Sequence, residues 1–134
     1  MTALSQDIGP RPFGSTANRE LTHDYIVGEL TRIQSETGNR ISFAVKDHAG
    51  QTPKGFHGND WQVVWESMGN IIVHVHAATP NMAAFLISGH YDTVFMSPGT
   101  TDNSAGISSM LEVIEVLAHD APARHELIFA FVNG

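Results

Sequence analysis

The chain has 134 residues, 42% of them hydrophobic and 16% charged, enough for one real core and for no more than one domain. With 14 acidic against 7 basic side chains its formal charge is −7, and no run of Lys and Arg is available to neutralise phosphates, which argues against a nucleic-acid partner. The absence of cysteine excludes disulfides and thiolate metal sites, leaving His, Asp and Glu as the only strong metal ligands.

In chain order, the stretch up to Pro12 carries neither a basic leader nor an apolar segment of the signal-peptide kind. Ile8-Gly9-Pro10-Arg11-Pro12 reads as rigid and extended, because each proline fixes its own φ and disfavours helix before it. Ser15 is placed to cap a helix over 16–36, in which Leu21, Tyr25, Ile26, Leu30 and Ile33 recur at helical spacing and Gly38-Asn39 is the stop. Ile41-Ser42-Phe43-Ala44-Val45 and Trp61-Gln62-Val63-Val64-Trp65 alternate as strands. Between them, 48–60 reads as a loop with His48 and His57 in solvent, and Trp61 and Trp65 are expected to pack rather than to touch substrate.

The β-branched stretch 70–76 is a further strand, with His74 and His76 on one face. A metal pair is one reading of these two histidines; a solvated sheet face is the preferred one. Thr79-Pro80-Asn81 turns the chain into a short apolar run over 83–88, of the buried-strand kind. Over 105–118, Ile107, Met110, Leu111, Ile114 and Leu117 form one helix face, with Glu112 and Glu115 off it. Ala121-Pro122-Ala123 closes that segment, and 127–132 is another buried strand.

Strand, helix, strand predicts a parallel pair joined by a crossover, while the shorter links earlier in the chain predict antiparallel pairing. The expected fold class is α/β, a mixed parallel/antiparallel sheet flanked by helices. No apolar run approaches the ~20 residues of a membrane span.

The chemistry concentrates at the end of the 83–88 run. His90-Tyr91-Asp92 follows it directly, and after a Ser97-Pro98-Gly99 turn Asp102 stands at the start of the next helix. In open α/β sheets, functional groups gather beyond the carboxyl ends of parallel strands. His90 and Asp102 are therefore candidate metal ligands, and Asp92 can hold the His90 ring in one tautomer. Taken singly, Asp102 reads first as a helix-capping aspartate, and His90 as a structural or surface histidine. Tyr91 and Met96 flank the site as candidate pocket residues. Ser88 and Ser104 lack the Gly-x-Ser-x-Gly setting of a serine hydrolase.

The same residues carry a resemblance. Ile8-Gly9-Pro10-Arg11-Pro12-Phe13-Gly14-Ser15, Asn70-Ile71-Ile72-Val73, Ser88-Gly89-His90-Tyr91-Asp92-Thr93-Val94, Ser97 through Gly106, and Leu127 through Gly134 resemble successive segments of metallopeptidase family 28. These are co-catalytic zinc exopeptidases, and the likeness is to the branch of endoplasmic-reticulum metallopeptidase and vacuolar membrane protease. The resemblance implies a zinc aminopeptidase acting on peptides, with His90 on one zinc, Asp102 bridging two and Asp92 orienting His90. It allows an endoplasmic-reticulum or vacuolar membrane setting, or a bacterial secreted or membrane-attached one.

In the family two adjacent glutamates, the general base and a ligand, follow the last strand, and a further aspartate and histidine come later. Residues 1–134 are thus expected to be the amino-terminal part of a single peptidase domain, incomplete at its C-terminal end and inactive alone. A non-catalytic interaction domain of this fold and a single-zinc acyl transferase of the glutaminyl-cyclase kind are the alternatives. The strand over 127–132 is expected at a sheet edge, which would leave the chain prone to aggregate.

Overall fold

The computed structural model describes residues 2–51, 64–79, 83–120 and 124–134. Four strands form one sheet: β1 (Ile41–Gln51), β2 (Val64–Val75), β3 (Ala84–His90) and β4 (Glu126–Val132), in the order β1-β2-β4-β3. β1 with β2 and β2 with β4 are antiparallel, and β3 with β4 is parallel. The helices are α1 (His23–Thr37) and α2 (Ala105–His119). The mixed sheet, the parallel pair and the crossover helix are as the pattern predicts.

Alternation decides what faces what. Ile71, Val73 and Val75 of β2 point to one face with Phe129 and Phe131 of β4, and there they meet Ile26, Leu30 and Ile33 of α1 and Ile107, Met110, Leu111 and Ile114 of α2. Both helices therefore lie on one face of the sheet. Each large side chain so buried contributes about 1.5–3 kcal/mol, and this layer holds the fold together. Glu115, read as merely exposed, ties the two helices: both its oxygens take a hydrogen bond from Arg32 at 2.9 Å. Among the described residues, no helix is long and apolar enough to cross a membrane.

Several expectations are corrected. The strand over 41–45 runs on to Gln51, and Val64, Trp65 and the 70–76 stretch belong to one continuous strand, because the β1–β2 ladder persists through an irregularity between His48 and Gly50. His48 is half-buried rather than solvated, and its Nδ1 accepts a hydrogen bond from Trp65 Nε1 at 3.1 Å. Trp65 also packs edge-on against Phe13, in keeping with a packing role. His57, residues 61–63 of the expected second strand and the turns at Pro80-Asn81 and 121–123 lie outside the described residues.

The amino terminus is not simply an extended lead-in, since Ala3–Ile8 is a helical turn that buries Leu4 completely. The 16–36 helix begins as a wider π-type turn, Ala17–Thr22, before α1, and Ser15 Oγ accepts from the Asn18 N–H at 3.2 Å as a cap should. Most consequential, β4 lies inside the sheet, between β2 and β3. The edges are β1 and β3, and on β3 Phe85, Leu86 and Ile87 are 60%, 68% and 40% exposed.

Candidate metal centre

The carboxyl ends of β3 and β4 lie side by side in parallel register, with His90 opposite Val132. His90 closes β3, and the Tyr91 N–H donates to the Val132 carbonyl at 3.0 Å, so the chain leaves the sheet only after delivering the imidazole to its rim. Gly89 lets α2 approach: a Cβ there would stand 3.0 Å from Met110 Sδ and 3.1 Å from Asn103 Nδ2. The turn that brings Asp102 back rests on Gly99, at φ +58°, where a Cβ would collide with Thr93 Cγ2 at 2.3 Å and with the Asp102 carbonyl oxygen at 2.7 Å.

These constraints bring the three candidate residues together. His90 Nε2 lies 2.9 Å from Asp102 Oδ1, and His90 Nδ1 lies 3.3 Å from Asp92 Oδ1 and 3.2 Å from the Asp92 carbonyl oxygen. Asp92 Oδ1 also accepts from the Gly134 N–H at 3.2 Å. Asp102 is largely exposed and caps nothing: α2 starts at Ala105 behind Ser104, with no side-chain cap hydrogen bond. Its carboxylate is turned to the imidazole instead. The Asp102–Asn103 peptide bond is cis.

The arrangement suits a cation. When Nδ1–H donates to Asp92, Nε2 presents a lone pair, and that lone pair faces a carboxylate oxygen across 2.9 Å. Two acceptors at that distance repel unless a proton or a metal ion lies between them. Zinc bonds to imidazole nitrogen and carboxylate oxygen are each about 2.0–2.2 Å, which at the tetrahedral angle sets two donors of one ion about 3.3–3.6 Å apart. The donor types fit zinc, the 2.9 Å pair opens by about half an ångström to admit it, and Asp92 stands where carboxylates commonly orient zinc-bound histidines.

Behind this rim lies a support that the sequence did not signal. Arg11 is completely buried. Its Nε donates to the Tyr91 carbonyl at 2.7 Å, its Nη1 to the carbonyls of Leu4, Gly9 and Pro98 at 3.0–3.2 Å, and its Nη2 to Ser104 Oγ at 2.7 Å. Burial pulls the guanidinium pKa below its ordinary value, while the Asp92 charge works in the opposite direction. The Arg11 N–H also donates to Thr93 Oγ1 at 3.0 Å. Arg11 thus joins the amino-terminal turn to both loops of the candidate site.

Tyr91, expected to flank the site as a pocket residue, is fully buried; it donates its hydroxyl to the Gly69 carbonyl and accepts from Asn133 Nδ2 at 2.9 Å. Burial pushes its phenol pKa up to about 12. Asn70 Oδ1 in turn takes the Asn133 N–H at 2.8 Å. Met96 is 92% exposed. A cleft of about 530 Å³ opens between Phe13, Arg19, Trp65, Ser67 and Met68, and none of His90, Asp92 and Asp102 lines it.

Among the described residues, one trio already gathers three donor atoms within 4.8 Å of one another: Glu36, Glu115 and His119. It lies at the far end of α2 from Asp102, about 20 Å along a 15-residue helix. Arg32, hydrogen-bonded to Glu29, Glu36 and Glu115, already engages both of its carboxylates.

Comparison with known proteins follows this geometry. Residues 70–134 match the model of peptidase family M28. Endoplasmic reticulum metallopeptidase 1 of Rattus norvegicus is 34% identical over 130 residues, which cover 95% of this chain and 14% of the relative. The chain therefore spans about one-seventh of that relative's length. Among solved structures, the zinc aminopeptidase BSAP of Bacillus subtilis superposes with a TM-score of 0.72 at 14% identity, over 99% of this chain and 59% of that one. A glutaminyl cyclase of Macrostomum lignano superposes with a TM-score of 0.69 at 20% identity, over 98% and 36%. At these identities the two structures establish a shared fold.

Proposed function

Because residues 70–134 match the model of peptidase family M28, we propose that residues 1–134 are the amino-terminal part of a single zinc exopeptidase domain of that family, with His90 and Asp102 as metal ligands and Asp92 as the residue that orients His90. One observation carries this reading: His90 Nε2 meets Asp102 Oδ1 at 2.9 Å while Nδ1 of the same ring is turned to Asp92. The complete domain would hold two zinc ions, with His90 and Asp102 among the residues that hold them. Its substrate is a peptide, cleaved at the N-terminal residue, and membrane anchoring, where it occurs, belongs to other parts of the full-length protein.

Bound zinc supplies a Lewis acid and lowers the pKa of its water to about 7. The chain's own residues serve that chemistry by position. Asp92 accepts the Nδ1 proton and so keeps Nε2 as the donor atom. Asp102 supplies negative charge at the exposed rim, where a peptide has access. Tyr91, Asn133 and Arg11 hold the two loops at fixed height behind the rim. One imidazole and one carboxylate do not complete a two-metal site, and no general base stands beside them among the described residues. The described residues therefore do not suffice for catalysis, and the isolated chain is expected to be inactive.

The test is release of the N-terminal residue from short peptides by the full-length protein. Asp102→Ala and His90→Ala should abolish it, and Asp92→Asn should lower zinc affinity or activity roughly 10–100-fold. Full activity in Asp102→Ala would refute the assignment. The fold shared with a glutaminyl cyclase favours a second reading, a single-zinc acyl transferase. Cyclisation of an N-terminal glutamine without release of that residue identifies it. Absence of both activities in the full-length protein points to a non-catalytic domain of the same fold.

A further inference from the structure

The sheet face not covered by the helices carries a second gathering of metal-type donors, roughly 15–20 Å from His90 by strand count. Ile71, Val73 and Val75 of β2 go to the core, so His74, and His76 just beyond the strand, leave by the opposite face. In the β2–β4 register Val75 pairs with Leu127, which sets Glu126 across from His76. Glu126 Oε1 lies 2.6 Å from His74 Nδ1 and 3.9 Å from His76 Nδ1. From β1, Ser42 Oγ reaches His76 Nε2 at 3.0 Å.

Three adjacent strands thus contribute to one surface cluster, in which two imidazoles turn the same ring nitrogen to a single carboxylate oxygen. The rings stack 24° apart in tilt, with centroids 6.3 Å apart. An imidazole in its neutral form offers one lone pair to a metal. Ser42 engages Nε2 of His76, and a hydrogen bond at one ring nitrogen sets the other as the coordinating atom.

We propose that His74, His76 and Glu126 bind a divalent transition-metal ion of the zinc class at a site separate from His90 and Asp102. Two imidazole nitrogens and one carboxylate oxygen form a His₂Glu donor set, one that binds zinc and leaves a position open. The present positions are those of the ion-free cluster, in which Glu126 bonds to His74 directly. Loading exchanges that hydrogen bond for two metal bonds and draws the His76 ring in by rotation, for which its 43% exposure leaves room. The side chains of His74 and Glu126 are 40% and 30% exposed, so an ion reaches them without opening the core. This site does not depend on the peptidase reading.

The experiment is a Zn²⁺ titration of the full chain in a His90→Ala/Asp102→Ala background, followed by the imidazole resonances in NMR and by calorimetry. The His74 and His76 ring signals should shift together and saturate at one equivalent. His76→Ala and Glu126→Gln should abolish that event, and Ser42→Ala should weaken it by about tenfold or more. Unmoved His74 and His76 signals at saturating Zn²⁺ would overturn the proposal, as would undiminished binding in His76→Ala and Glu126→Gln.

Discussion

Arg11 and Ser104 are 93 residues apart in the chain, yet Nη2 of the one donates to Oγ of the other at 2.7 Å in the interior. Ser104 immediately precedes α2, and Asp102 lies two residues before it, so a charge from the amino terminus sets the height of the loop that carries a candidate ligand. Arg11→Met should take their Arg11 donor from the carbonyls of Gly9, Tyr91 and Pro98 and from Ser104 Oγ, while the Leu4 carbonyl keeps the Gly9 N–H. A buried polar group left unpaired costs about 1–3 kcal/mol, and several at once should lower stability by about 3–5 kcal/mol. Urea unfolding of the two proteins measures this. Arg11→Lys should not restore it, because one ammonium cannot reach the span of the guanidinium fork.

Tyr91 gives a pH signature. Its folded-state phenol pKa is raised to about 12 by burial, above the unfolded value of about 10. A raised pKa means that the folded state keeps a proton the unfolded state loses. The stability this represents is fully present below pH 10 and is lost as pH rises from 10 to 12. Wild-type unfolding free energy should fall more steeply across that window than that of Tyr91→Phe. Below pH 9, Tyr91→Phe should itself be less stable by about 1–3 kcal/mol, since the Gly69 carbonyl loses its buried donor.

Much of this architecture was readable in the residues, and the failures have physical causes. α2 is legible because five apolar residues keep helical spacing over about three turns, and its parallel flanking strands follow from connection length. The strand over 64–75 was read in two pieces because Met68 and Gly69 interrupt the alternation, although the ladder to β1 carries through them. The turn Ala3–Ile8 is too short to declare a period, and it is held by tertiary bonds such as that from Arg11 to the Leu4 carbonyl. A lone arginine between two prolines gives no sign of complete burial. Residue types and spacing did single out His90, Asp92 and Asp102. That Asp102 turns to the imidazole rather than capping α2 depends on Gly99 and Gly89, whose steric role only the folded chain reveals. The edge position expected for 127–132 is the clearest miss, since local pattern does not say that β4 is paired on both sides.

Gly99→Ala follows from that dependence. A methyl group would stand 2.3 Å from Thr93 Cγ2 at a positive φ, so the 97–102 turn must shift. Zinc affinity of the full-length protein should fall by at least about tenfold, with a global stability loss of only about 1–2 kcal/mol. Isothermal titration alongside thermal melts separates the two. Unchanged affinity would mean that the turn does not set the Asp102 position.

The β3 edge governs solubility of the isolated chain. Phe85, Leu86 and Ile87 are exposed along it, and an unpaired apolar strand is a template for association. Leu86→Lys should raise the monomer fraction in size-exclusion chromatography at micromolar concentration. A matching gain from Ile128→Lys on β4, with none from Leu86→Lys, would contradict the assignment of the edge.

The most direct test is a crystal of the full-length protein grown with zinc, with anomalous data collected at the zinc edge. The account predicts a peak about 2.0–2.2 Å from both His90 Nε2 and Asp102 Oδ1, with Nδ1 of His90 still on Asp92. A zinc-loaded, active protein in which His90 keeps its direct bond to Asp102 and no zinc touches either residue would contradict it.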